Sequence, residues 1–155
     1  MIYRAFGGAD ALSTARAIRR VAYRRGLVFL VGADAALAHA VKADGVHLPE
    51  SFMQRAPALK RSHPAWRITA AAHDRKALWR ADRLRLDAAL VSTVFESRSQ
   101  SAATPLGPVR FAGLIRGAGL RVIALGGINK ETAARLIDTG AHGMAAVDGL
   151  TPLEG

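Results

Sequence analysis

Short runs rich in Val, Ile and Leu alternate with helical patterns along the whole of this 155-residue chain, and that alternation narrows the folds open to it. The spacing predicts strands at residues 2–6, 27–31, 45–48, 67–72, 88–95, 121–125 and 143–147. Between the first two, residues 11–25 carry Leu12, Ala15, Ile18 and Ala22 at helical spacing, with arginines on the opposite side. Helices over 35–42, 51–61, 74–83, 108–117 and 129–139 fill the other gaps, with Gly140 as the expected C-cap of the last. Strands that are apolar on both faces and separated by helices imply a parallel sheet with right-handed crossovers. Seven such repeats without a long break predict an α/β fold, a parallel (β/α) barrel of the TIM type in one domain spanning residues 1–155. A closed barrel of this type has eight strands, so the expected form is truncated to about seven, with open edges that a homodimer would cover.

Composition excludes several classes. Half of the residues are apolar, enough for a core in a domain of this size. There is no cysteine, which removes disulfides and thiolate metal sites. No apolar run approaches the roughly 20 residues of a membrane span, and the N-terminus does not read as a signal peptide, so a cytoplasmic protein without a membrane partner is expected. Lys and Arg total 22 against 12 Asp and Glu, a net charge of +10. Such an excess suits a nucleic-acid binder, yet Arg16, Arg19, Arg20, Arg24 and Arg25 line the polar side of one predicted helix. Arg75, Arg80, Arg83 and Arg85 cluster on or just after another. Neither group interleaves regularly with aromatic residues, which are 6% of the chain, so solvated helix faces are expected and no nucleic-acid partner.

The polar and glycine residues gather after the strands, at Gly7-Gly8, Gly32 with Asp34, Pro49-Glu50, His73-Asp74, the loop following residue 95, Gly126-Gly127 and Asp148. In a barrel such loops share the rim that carries chemistry. The most informative of them is Ala124-Leu125-Gly126-Gly127-Ile128-Asn129, where an apolar run breaks into two glycines and then a candidate helix N-cap. Two residues without side chains let an oxyanion approach closely, and a helix start offers unpaired N–H donors. The alternative for the same residues is a plain strand-to-helix turn.

Lys42-Ala43-Asp44-Gly45-Val46-His47-Leu48-Pro49, Val94-Phe95-Glu96-Ser97-Arg98-Ser99 and the stretch from Ala124 to Asn129 resemble, in order and spacing, the thiamine phosphate synthase/TenI family. Gly140-Ala141-His142-Gly143 followed by Ala145-Ala146-Val147 is similar to that family's last strand. The likeness runs from the family's second strand to its eighth, without its first βα unit and its terminal helix. It implies a (β/α)8-type barrel of thiamine biosynthesis, a transferase of the thiamine-phosphate diphosphorylase type. Such an enzyme joins a hydroxymethylpyrimidine diphosphate to a thiazole phosphate with Mg²⁺.

The resemblance also implies roles for single residues. Gly126 and Gly127 match the phosphate-binding turn, and Ser97 and Ser99 match hydroxyls of a Thr-x-Thr-Lys-like loop. Gln100 stands in the lysine position of that loop, with Arg98 as the neighbouring charge. Arg4 matches the arginine of a Gln-x-Arg-x-Lys pattern, while Ile2 and Phe6 replace its polar neighbours. Asp34 and Glu50 are the carboxylates nearest the family's metal positions, and Asp148 replaces a serine at the phosphate side. A TenI-type alternative is a thiazole tautomerase with His73 as acid/base, which requires no metal. A further alternative is a non-catalytic barrel that binds a phosphorylated ligand or pairs with a partner. His47 is expected as a satisfied core or rim histidine.

Overall fold

A computed structural model describes residues 1–5, 7–97 and 104–147, and the chain divides into two compact units, Met1–Ala70 and Ala71–Gly155. Parallel strands alternate with helices through both, the seven-stranded β/α repeat of the TIM-type α/β class that the sequence pattern implies.

In the first unit, β1 (Ile2–Tyr3), β2 (Leu30–Gly32), β3 (Gly45–Leu48) and β4 (Arg67–Ala72) pair in chain order, and the last two residues of β4 open the second unit. The registers are parallel throughout, Tyr3 opposite Val31, Val31 opposite Val46 and Val46 opposite Ile68. Val31, Val46 and Ile68 are fully buried, as expected of strands covered on both faces. The helices are α1 (Ala11–Arg24), α2 (Ala35–Ala40) and α3 (Ala56–Ser62), the last preceded by a 3₁₀ turn at Glu50–Arg55. Gly45 has no alternative residue: its φ is +155°, and a Cβ there would overlap the backbone of Arg67 on the next strand.

One carboxylate organises the start of these strands. Asp44 accepts from the Phe29 N–H at 2.8 Å and pairs with Arg19 at 3.3 Å, while its own carbonyl accepts from the Arg67 N–H at 2.9 Å. A single residue before β3 thereby ties α1, the entry to β2 and the entry to β4.

In the second unit, β5 (Ala88–Val91), β6 (Arg121–Leu125) and β7 (Gly143–Ala145) pair in order, with Val91 opposite Ala124 and Leu125 opposite Ala145. Three helices accompany them: α4 (Arg75–Arg83), α5 (Gly107–Ile115) and α6 (Lys130–Ala133), which runs into a 3₁₀ turn at Ala134–Leu136. Leu78, Phe111 and Val122 are buried to 1% or less.

The expected strands at 45–48, 67–72 and 121–125 have the boundaries the pattern gave them. Others are shorter. The first ends at Tyr3, the second begins at Leu30 and the fifth ends at Val91. Val94 and Phe95 are buried apolar residues, which accounts for the longer strand expected there, although the strand itself ends at Val91. The largest difference is at the last helix, expected over 129–139. Only one α turn and one 3₁₀ turn form, and Ile137 leaves helical geometry at ψ +137°. Gly140 therefore is not its cap, although it does take a positive φ of +87° in the turn that follows.

Candidate functional site

Within the first unit, three of the predicted residues follow the C-terminal ends of neighbouring strands. Arg4 leaves β1 and its stem crosses Gly32, where a Cβ would come within 2.7 Å of the Arg4 Cγ. Asp34 follows β2 in extended geometry, and its Oδ1 accepts from the Leu37 N–H at 2.8 Å, capping α2. Glu50 opens the 3₁₀ turn after β3 and is half-buried. His47 lies on β3 with its Nδ1 3.0 Å from the Thr69 hydroxyl. Burial, and secondarily the charge of Arg4, lowers its pKa to about 4, so it is neutral at physiological pH. That is the satisfied histidine the sequence suggests.

Asp34 and Glu50 carry the hard oxygen donors that magnesium prefers. Among the described residues, however, no three His, Cys, Asp or Glu side chains gather as a metal site, and Asp34 already spends one oxygen on its cap. The donor chemistry fits a magnesium ion delivered on a diphosphate, completed by one or two protein carboxylates. It does not fit an ion held by protein alone.

The second unit is built differently. His73 sits between β4 and α4, and Asp74 behind it caps α4 by accepting from the Ala77 N–H at 2.7 Å. The His73 Nδ1 is 3.0 Å from the Ser92 carbonyl, which is an acceptor only, so the neutral ring carries its proton on Nδ1 and its lone pair on Nε2. The Ser92 hydroxyl lies 3.3 Å from the same nitrogen. The tie reaches 19 residues along the chain and is not a local helix-start bond.

The Gly126-Gly127 turn follows β6 with φ of +98° and +63°. Residues 93–95 are laced to it: the Val94 N–H bonds the Leu125 carbonyl at 3.1 Å, and the Phe95 N–H bonds the Gly126 carbonyl at 3.0 Å. A Cβ on Gly126 would come within 2.9 Å of the Thr93 Cγ2, and one on Gly127 within 2.8 Å of the Phe95 carbonyl carbon. The space left by the missing side chains is thus filled by the chain itself. On the far side, the Thr132 hydroxyl donates to the Gly127 carbonyl at 2.8 Å and accepts from the Asn129 N–H at 2.9 Å. Asn129 Oδ1 accepts from the Glu131 and Thr132 N–H groups, both at 2.9 Å.

This corrects the expected socket. Asn129 does cap the helix, and in capping it takes the N–H groups of Glu131 and Thr132, two of those an anion would use. What remains is the turn and the first helical N–H: among the described residues, the N–H groups of Gly127, Ile128 and Lys130 have no hydrogen-bond partner within the chain. Ser97 is half-buried just beyond the laced segment. Arg98, Ser99 and Asp148 lie outside the described residues. Ser92, Thr93 and Thr132 are the supporting residues that sequence reasoning missed. The Asn129-x-x-Thr132 spacing could have revealed Thr132, whereas nothing in the sequence links Ser92 to His73.

Fold and loops together define a TIM-type β/α protein whose polar and glycine residues follow its strands. The family model for thiamine monophosphate synthase matches residues 2–150, and the chain belongs to that family, whose process is thiamine biosynthesis. It is 31% identical over 150 residues to a thiamine-phosphate synthase of Chlorobium luteolum, covering 95% of this chain and 70% of that protein. A thiamine-phosphate synthase of Chromobacterium violaceum is 34% identical over 143 residues, covering 90% and 67%. Among solved structures, a thiamine phosphate pyrophosphorylase of Pyrococcus furiosus superposes with a TM-score of 0.81 at 25% identity, over 94% of this chain and 70% of that one. Among the described residues, no helix is long and apolar enough to cross a membrane.

Proposed function

We propose that this chain binds a thiazole phosphate at the Gly126-Gly127 turn as a cytoplasmic member of its family. The observation that carries the reading is the pair of N–H groups on Gly127 and Ile128 that have no partner among the described residues, in a turn fixed by the Phe95 lacing and the Thr132 hydroxyl. Donors held in place before the ligand arrives lose little entropy on binding. Arg98, Ser97 and Ser99 are assigned to the same phosphate, together with Asp148, whose charge would oppose rather than assist its binding.

Coupling to a hydroxymethylpyrimidine diphosphate is the second half of the proposal. It needs the diphosphate held while its C–O bond ionises, and Asp34 and Glu50 are the carboxylates assigned to Mg²⁺, with Arg4 nearby as a cation. When bound with the diphosphate, the ion would neutralise charge developing on the leaving group. No lysine stands at position 100 to help, and one such contact is worth about a hundredfold in rate, so slow coupling is expected. The chain is taken to act as one domain and as a homodimer, without nucleic-acid or membrane partners.

A specific observation favours a second reading. The Ser92 carbonyl fixes the His73 tautomer with its lone pair on Nε2, as a general base for thiazole tautomerisation requires. Thermal melts with thiazole phosphate test the binding: a rise in Tm is expected, and an unmoved Tm at millimolar ligand overturns it, leaving the interaction-module reading. An assay with both substrates and Mg²⁺ then separates the activities. Product formation that needs Mg²⁺ supports the synthase. Metal-independent tautomerisation lost in His73→Ala, with the Tm shift retained, supports the tautomerase.

A further inference from the structure

A hollow in the first unit lies at the opposite end of β2, β3 and β4 from Asp34 and Glu50. It is about 750 Å³ in volume and is lined by segments that precede these strands, among them Leu27-Val28, Ala43-Asp44 and Ala65-Trp66-Arg67. That volume lies within the range of small-molecule sites. Its walls combine two kinds of chemistry.

One kind is flat and aromatic. Trp66 lines the hollow half-buried and is stacked on His63, with ring centres 3.7 Å apart and planes at 14°. His39 meets the far ring edge-on at 5.4 Å. The Ser62 hydroxyl, 2.9 Å from His63 Nδ1, further fixes that ring. Tyr23 lines the same hollow and lies beneath the Arg19 guanidinium at 5.6 Å.

The other kind is cationic. Asp44 is the one carboxylate among the lining residues, and it is already spent on Arg19 and on the Phe29 N–H. Lys42 and Arg67 are exposed, and among the described residues neither has an acidic partner. A second hollow of about 490 Å³ shares Arg19 and Lys42 and adds Arg16 and Arg20, so the basic surface continues along α1.

We infer that this hollow binds a nucleotide-sized anion carrying an aromatic ring, with the ring on the Trp66 and Tyr23 side and its phosphates on Lys42 and Arg67. An anion without a ring would leave the aromatic wall unused, and a ring without charge would leave the cations unmatched. The site is independent of the thiazole phosphate turn.

The test uses the full chain carrying Trp79→Phe, which leaves Trp66 as its tryptophan, and follows fluorescence during titration with ADP. Saturable quenching is expected, with adenosine and pyrophosphate each at least about tenfold weaker. In the Lys42→Gln/Arg67→Gln double variant, whose changes are at exposed positions and whose fold is checked by circular dichroism, ADP affinity should fall by about tenfold or more. Saturating thiazole phosphate should leave the ADP curve unmoved. Unsaturable quenching, equal response to pyrophosphate alone, an unchanged affinity in the folded double variant, or competition by thiazole phosphate would each overturn the assignment.

Discussion

The loops after β2 and β6 both join a parallel strand to a helix, yet they are built in opposite ways. After β6, two glycines, Asn129, Thr132 and residues 93–95 hold one another, and the N–H groups of Gly127 and Ile128 have no partner among the described residues. After β2, Asp34 keeps a single cap bond and the rest of its carboxylate has no described role. In the proposed function, the first loop is finished before its phosphate arrives, whereas the second depends on what is delivered to it. In that reading, a phosphate site of fixed backbone donors is lost only by breaking the fold around it, whereas a side-chain metal ligand is lost by a single substitution.

The sharpest way to break the contrast is Gly127→Ala. A side chain there meets both a left-handed φ and the Phe95 backbone, so a loss of about 4 kcal/mol in urea unfolding is expected, together with the thiazole phosphate Tm shift. A loss under about 1 kcal/mol would show that the turn is not braced.

His47 gives the next largest effect, from the first unit. Its pKa falls from 6.5 in the unfolded chain to about 4 in the folded one. Above pH 6.5 both states are neutral and it contributes nothing. Below that, the unfolded chain takes up the proton first, so stability declines between pH 6.5 and 4 by up to about 3 kcal/mol and then levels. Urea melts of the parent and of His47→Gln across that window should converge if this is correct, and parallel curves would refute it.

Thr132→Val removes the hydroxyl shared by the Asn129 N–H and the Gly127 carbonyl. About 1 kcal/mol of stability is expected to go, with weaker thiazole phosphate binding; unchanged binding would detach the cap from the site. The smallest stability effect belongs to Asp34→Asn, which retains a capping oxygen and should cost less than about 0.5 kcal/mol. Any Mg²⁺-dependent coupling should nonetheless fall at least tenfold, and coupling that survives would return Asp34 to a purely structural role.

The sequence pattern carried the central strands well, because Gly45–Leu48, Arg67–Ala72 and Arg121–Leu125 are apolar runs closed by polar or glycine residues. It carried the end of the chain less well. The periodicity of 129–139 is compatible with a helix, but Ile137 turns out of it and is 67% exposed, so no packing holds a longer one. The glycine turn was legible as a special conformation but not in its cause. Whether a glycine makes room for a ligand or for its own neighbour depends on residues 93–96, some 30 positions away, which no local window registers. The Ser92 tie to His73 was hidden for the same reason.

Asp44 has a consequence for how this sequence can change. Because its side chain and its carbonyl fasten three segments to one point, the stagger of β2, β3 and β4 is pinned at their beginnings. Insertions between α2 and β3 would shift all three fastenings at once, whereas lengthening a loop at the other ends would shift none. The unit is thus anchored like a fan at its rivet, free to vary at its outer edge and intolerant of change where the ribs meet.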